Sequence, residues 1–253
     1  MALLAILFFI TALLYASVGF GGGSTYNALL VLHGTDYRIL PAIALICNII
    51  VVSGGVWRFG SAGQIKVRRI VPWIAASVPF AWIGGRLPVS EFVFIGLLGA
   101  SLAAAGVRML LQRETPSPPE PAAQNPALAA LFGAGLGLLS GVVGIGGGIF
   151  LAPILHLMRW DKARVIAGTC SLFILVNSLS GLGGQLAKLG SLEMIHDVTA
   201  YWMLPLAVFI GGQIGSWFGS ARLAEPLLRR LTAILVLYVA VRLLLRWAGM
   251  IAG

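Results

Sequence analysis

Charge is what this sequence has least of. Only 10% of its 253 residues are charged and only 8 are acidic, whereas a soluble domain carries about 25% charged residues and about 45–50% apolar ones. With 59% hydrophobic residues and a mean hydropathy of +0.97, the chain cannot hide its apolar surface from water, and it reads as an integral membrane protein. No acidic residue stands inside an apolar run, which argues against a carboxylate proton relay or a dedicated cation site. Cysteine is nearly absent: Cys47 and Cys170 both lie in apolar runs without C-x-x-C spacing. That excludes a metal site or disulfide framework and leaves two small core residues. The net charge of +9 does not signal nucleic acid, because no basic run is interleaved with aromatics on a polar domain. The Lys and Arg residues fall mostly at the ends of apolar runs, as topology signals do. Enzyme signatures are missing too. There is no H-E-x-x-H, Gly22-Gly23-Ser24-Thr25-Tyr26 lacks the second Gly of a nucleophile elbow, and Gly19-x-Gly21 has no βαβ context. The chain is therefore read as a non-enzyme without cofactor or metal. No positive region precedes the apolar start at Ala2, so that start is expected to be a membrane segment rather than a cleaved leader.

What is present is glycine, concentrated twice. Gly19-Phe20-Gly21-Gly22-Gly23 and Gly144-Ile145-Gly146-Gly147-Gly148 each interrupt an apolar segment, 125 positions apart. Gly disfavours a helix interior by about 1 kcal/mol relative to Ala, so each cluster is expected to break its helix. In a bilayer, broken backbone is tolerated only where it is buried in protein or lines a watery cavity. A matched pair of such breaks in two halves is the sequence pointer to a transporter's binding site.

The expected fold is an all-α polytopic bundle of two homologous halves, residues 1–111 and 127–253, joined by a Pro-rich linker over 112–126. Membrane segments are expected over 2–18 with an arm at 24–32, then over 38–56, 70–85 and 92–111. The second half repeats the plan over 127–143 with an arm to about 158, then over 163–186, 199–219 and 226–247. A kink is expected if Pro79 falls inside its helix. Beyond the breaks, Asn48 matches Asn177, Gly84-Gly85 matches Gly211-Gly212, and Arg108 matches Arg242 in the same order, as a duplication would leave them. The 17 Lys and Arg distinguish two topologies. If all eight segments cross, 9 of them lie inside and 8 outside. If each Gly-broken segment turns back, the repeats are inverted, with 12 inside and 5 outside, which obeys the positive-inside rule. The difficulty is that 17 residues before a break make about 25 Å of helix, long for half a membrane.

In a re-entrant hairpin the arm after the break is a helix whose N-terminus points into the membrane. Its unpaired N–H groups carry about half a positive charge, and glycines let an anion approach the backbone. Candidate substrate-binding residues are thus Gly19, Gly21, Gly22, Gly23, Ser24 and Thr25 in the first break and Gly144, Gly146, Gly147 and Gly148 in the second. The bland alternative is glycine serving only close helix packing. Asn48 and Asn177 can donate to an oxyanion, brace the hairpin backbone or join two helices. Thr169 and Ser171, on the helix of Asn177, are further candidates for the same cavity, as is Ser178; Gln185 and Gln213 are weaker ones. His33 and His156 follow the two arms and are candidates for proton coupling, with an interfacial position as the alternative.

The two Gly motifs resemble the sulfite exporter TauE/SafE family. So do the sequence running on through Ile149-Phe150-Leu151-Ala152-Pro153, the Asn in the following helix and the duplicated plan. The first half departs from the second motif, with Ser24-Thr25-Tyr26-Asn27 where Pro153 and its neighbours stand. The resemblance implies a permease of the bacterial inner membrane carrying a small sulfur-containing anion such as sulfite, sulfoacetate or another organosulfonate. The partners expected from composition and charge are a lipid bilayer and no nucleic acid, with a homodimer as a candidate assembly. An anion channel, a carrier of a non-sulfur anion and a non-transporting membrane assembly subunit are the alternatives.

Overall fold

The computed structural model describes residues 1–17, 21–111, 125–189, 197–218 and 225–252. Gly19 and nearly all of the expected linker lie outside these, as does the side chain of His156. The described chain forms ten α-helices: α1 (Ala2–Ser17), α2 (Gly23–His33), α3 (Leu40–Ser61), α4 (Val67–Arg86), α5 (Glu91–Leu111), α6 (Pro126–Val143), α7 (Gly148–Leu157), α8 (Ala163–Leu189), α9 (Met203–Phe218) and α10 (Glu225–Ala252). By length and composition, four described helices carry a stretch able to cross a membrane, at Leu40–Ser61, Glu91–Arg108, Pro126–Val143 and Arg164–Lys188. The protein is an all-α integral membrane protein, as composition demands. In hydrocarbon, helices satisfy every backbone polar group internally.

Helix ends obey local chemistry more closely than the apolar runs do. Pro126, expected to close the linker, instead opens α6, where its missing N–H costs nothing. Asn125 before it accepts bonds from the N–H groups of Ala127 and Leu128, a side-chain N-cap. Helix α3 runs past its apolar stretch to Ser61 with Arg58 in its last turn, where a cation meets the negative end of the dipole. Helix α4 starts at Val67 and takes up Arg68 and Arg69. Pro72 and Pro79 both lie inside it, and the helix continues through both. Gly34 (φ +79) ends α2 and Gly144 (φ +78) ends α6, the left-handed position that glycine fills without strain.

Without a hydrophobic drive between helices in lipid, close packing relies on small residues. Gly133, Gly137 and Gly141 of α6 lie directly on the backbone of Trp73, Ser77 and Ala81 of α4, in that order, so the two helices run parallel. Gly211 and Gly215 of α9 sit in the same way on Phe9 and Leu13 of α1. Helix α6 thus packs on α4, and α9 on α1. Helices α3 and α8 are antiparallel, with Gly168 by Phe59 and Gly181 by Leu45. Helices α5 and α10 are also antiparallel, with Gly96, Gly99 and Gly106 against Trp247, Leu244 and Leu237. Helix α8 runs parallel to α4, with the Ser180 hydroxyl donating to the Val78 carbonyl at 2.6 Å. The expected packing role of glycine is filled by these residues, and within the breaks Gly144 also lies directly on the Pro41 backbone of α3. Gly137→Leu drives a branched side chain into the Ser77 backbone and is expected to lower the detergent melting temperature by about 3–10 °C. An unchanged melting curve would refute this contact.

Three further side-chain contacts, at helix ends and loops, join segments far apart in the chain. The Arg69 guanidinium donates to the Trp160 carbonyl at 2.8 Å and to the Asp161 carboxylate at 3.0 Å, and lies 4.3 Å over the Trp160 ring. The Tyr201 hydroxyl donates to Thr35 Oγ1 at 3.4 Å. Arg246 pairs with Glu91.

Candidate functional site

The first break reverses the chain. Tyr26 of α2 stacks on Phe8 of α1 with ring centroids 4.7 Å apart, and the Tyr15 hydroxyl lies 3.1 Å from Thr25 Oγ1. Had α1 continued through the glycines, residues 8 and 26 would stand about 27 Å apart. Gly22, the N-cap residue of α2, has φ −93 and ψ 18. A Cβ there would lie 2.8 Å from both the Thr11 methyl and the Tyr26 ring, so the turn needs the missing side chain. With 11 and 10 residues, α2 and α7 are each about 15 Å long, half of a hydrocarbon core of about 30 Å.

The second break needs glycine for conformation. Gly144, Gly146 and Gly147 have φ of +78, +85 and +76, where an L-residue is strained. This backbone reaches the first half. The Ile145 carbonyl oxygen lies against the Cα of Gly23, in the place a Cβ would occupy, and accepts a bond of 3.1 Å from Asn48 Nδ2 of α3. Asn27 of α2 likewise donates to the Val143 carbonyl at 2.9 Å, and Gln185 of α8 donates to the Gly141 carbonyl at 2.7 Å. Three buried amides thus hold the carbonyls at and just before the second break, two of them from the other half.

The two breaks therefore meet at one place. Around it stand Gly21, whose added Cβ would lie 2.8 Å from Asn48 Oδ1, and Gly146, whose added Cβ would lie 3.1 Å from Asn48 Nδ2 and 3.2 Å from Ser178 Oγ. Ser140 packs beside Gly147, and Ile174 beside Gly146 and Gly148. In α2 the first helical N–H bond is Tyr26 to the Gly22 carbonyl; in α7 the first are Phe150 and Leu151 to the Gly147 carbonyl. The N–H groups of Gly23, Ser24 and Thr25, and of Gly148 and Ile149, accordingly have no acceptor within their helices. Among the described residues, Ser140 Oγ, Ser178 Oγ, Thr169 Oγ1 and the amide oxygens of Asn27, Asn48 and Asn177 are buried without a partner. A buried polar group left so costs free energy unless something bonds to it.

The other expected residues separate. Ser24 and Thr25 are buried in the first turn of α2. Asn177 is buried but donates to the Phe173 carbonyl of its own helix at 2.8 Å, and Ser171 bonds back to the Ala167 carbonyl at 3.0 Å. His33 is exposed at the C-terminal end of α2, a whole helix from the break. Cys47 and Cys170 are buried free thiols, and among the described residues no His, Cys, Asp and Glu cluster fit to hold a metal occurs. Asn27 and Ser140 were not singled out by sequence. Their signal was there: each is a polar residue one turn from a Gly cluster, Ser140 alone in an apolar run and Asn27 just after Ser24 and Thr25.

A polytopic helical bundle with two short helices starting at buried glycine breaks defines a membrane transporter. Comparison with known proteins agrees. The description Sulfite exporter TauE/SafE matches residues 4–243, and the chain belongs to that family. It is 32% identical to the probable membrane transporter protein y4hK of Sinorhizobium fredii, over 95% of this chain and 97% of that one. It is 22% identical to the probable membrane transporter protein MamO of Magnetospirillum gryphiswaldense, over 78% of this chain but 37% of that protein. No solved structure matches.

Proposed function

We propose that this membrane transporter is a secondary permease for a small sulfur-containing anion, such as sulfite, sulfoacetate or another organosulfonate. The anion is held between the two Gly breaks by backbone N–H groups and neighbouring hydroxyls. The observation that carries this reading is the meeting of the breaks. The Ile145 carbonyl lies on Gly23 with Asn48 bridging, so two helix N-termini open on one buried, uncharged, polar place. Helix N-termini with unpaired N–H groups bind anions without a cationic side chain. The sulfur comes from the family description, and an organosulfonate or sulfite suits the same donors.

Inverted repeats, with α1–α2 and α6–α7 as re-entrant hairpins, are part of the proposal. In the topology where all eight segments cross, Arg69 and Asp161 fall on opposite sides of the membrane, as do Thr35 and Tyr201, and Glu91 and Arg246. Each of these pairs is in contact. With inverted repeats every pair falls on one side, and 12 of the 17 Lys and Arg face the cytoplasm, as the positive-inside rule asks. The bacterial inner membrane is the proposed location.

The test is flux of radiolabelled sulfite into proteoliposomes, with sulfoacetate, thiosulfate and chloride as competitors. Saturable uptake competed by unlabelled sulfite and not by chloride is the expected result, and the strength of competition by sulfoacetate and thiosulfate ranks the sulfur anions. A linear, uncompeted flux would make the protein a channel. No flux of any anion through folded protein would remove the permease reading.

A further inference from the structure

Two features of the place where the breaks meet narrow the ligand. One is charge. The N-termini of α2 and α7 offer about half a positive charge each, close to one unit in all. Among the described residues of the helices that form the site, no charged side chain stands at these N-termini. On the helices around the site, α1, α2, α3, α6, α7, α8 and α9, the charged or imidazole side chains are His33, Arg58, His156, Arg164 and Lys188, all in the first or last turns. The titratable groups nearer the site are the Tyr15 and Tyr26 hydroxyls and the Cys47 and Cys170 thiols. One unit of positive charge balances a monoanion and leaves a dianion with an uncompensated buried charge.

The other feature is hydrogen-bond polarity. Asn48 must turn its Nδ2 to the Ile145 carbonyl, which fixes the amide and leaves Oδ1 beside Gly21 as a buried acceptor without a partner. Ser178 Oγ beside Gly146 and the hydroxyl of Ser140, whose Cβ lies beside Gly147, are buried and also unpartnered. The place thus combines several donors with Asn48 Oδ1 as a fixed acceptor beside Gly21; the Asn27 amide, turned to the Val143 carbonyl, leaves its own oxygen unpartnered in the same way. A fully deprotonated oxyanion satisfies the donors and leaves Asn48 Oδ1 orphaned.

Building on the anion-permease reading, we infer that the site takes a singly charged oxyanion that still carries one acidic proton. The proton faces Asn48 Oδ1, and the remaining oxygens face Ser140, Ser178 and the free N–H groups. For sulfite this is the hydrogensulfite form, so the proton travels on the substrate and no titrating residue is needed to carry it.

The test is calorimetric titration of the purified, folded full chain with three anions at a series of pH values on both sides of neutrality. Sulfite changes from hydrogensulfite to dianion across the series, sulfate stays a dianion, and methanesulfonate stays a monoanion without an acidic proton. Sulfite affinity is expected to fall about tenfold per pH unit once the dianion prevails. Methanesulfonate is expected to bind equally at every pH and about tenfold more weakly than hydrogensulfite, and sulfate not to bind. Sulfite affinity flat with pH, or methanesulfonate or sulfate binding as tightly as hydrogensulfite, overturns this inference and leaves the anion site standing. Binding of none of the three removes the permease reading along with it.

Discussion

Replacing Gly147 with leucine is expected to cut anion flux by about 100-fold while the protein still enters the membrane and folds. Gly147 has φ +76, and its added Cβ would lie 3.0 Å from the Phe173 ring and 3.5 Å from the Leu136 carbonyl. The left-handed conformation costs an L-residue about 1–2 kcal/mol. A leucine side chain must also find room beside Ser140, over the free N–H groups that open α7. Covering two of those donors removes hydrogen bonds to a charged ligand worth about 1.5–3 kcal/mol each, and every 1.4 kcal/mol is a factor of about ten. Folding is expected to survive, because the neighbours of Gly147 come from α6 and α8 of its own half and not from the glycine stripe that joins α6 to α4. Gly135→Leu is the matched control. It adds the same side chain to α6 where no atom lies within 4 Å, and it is expected to leave flux unchanged. Proteoliposome flux of both variants, with a melting curve for each, decides the matter. Wild-type flux in Gly147→Leu would return the second break to a packing role.

Much of this architecture was legible because each signal is local and strong. Low charge and long apolar runs point to membrane helices, and four glycines in five residues point to a broken one. The left-handed Gly144, Gly146 and Gly147 are the conformational reason for that pattern. The order of polar landmarks pointed to a repeat, which stays part of the proposal. What sequence could not convey was contact between segments far apart in the chain. Nothing in Asn48 itself says that its amide will clasp the Ile145 carbonyl, 97 positions away, or that Arg69 will lie over Trp160. Repeat logic also misled in one respect, by treating Asn48 and Asn177 as equivalents. The two breaks open helices of different composition. Ser24-Thr25-Tyr26-Asn27 places an amide in α2 that reaches the end of α6, while Ile149-Phe150-Leu151-Ala152 gives α7 nothing of the kind. The second break is therefore held by the first half through Asn48 and Asn27.

That inequality makes a sharp expectation for the asparagine pair. Asn48→Ala is expected to lower flux about 10- to 100-fold and the melting temperature by roughly 3–8 °C. Asn177→Ala is expected to cost no more than about 1 kcal/mol of stability. Asn48 supplies a donor to the Ile145 carbonyl, which sits buried against Gly23 with no helix of its own to satisfy it. Losing that donor strands the carbonyl at a cost of about 1–3 kcal/mol, which for a protein of this size is about 2–4 °C per kcal/mol. It also frees the second break to move relative to α2, and a shift of about 1 Å between binding groups is enough to cost orders of magnitude in rate. Asn177 donates instead to the Phe173 carbonyl one turn back, which is the acceptor of an ordinary helical bond already, so its removal strands no carbonyl. The measurement is flux and thermal unfolding of the two single variants and of the double variant. Equal losses in the single variants would mean that Asn177 clasps the first break during transport as Asn48 clasps the second. Independent losses of unequal size would mean that the clasp belongs to one half alone, and that the two breaks have divided the work of binding and bracing between them.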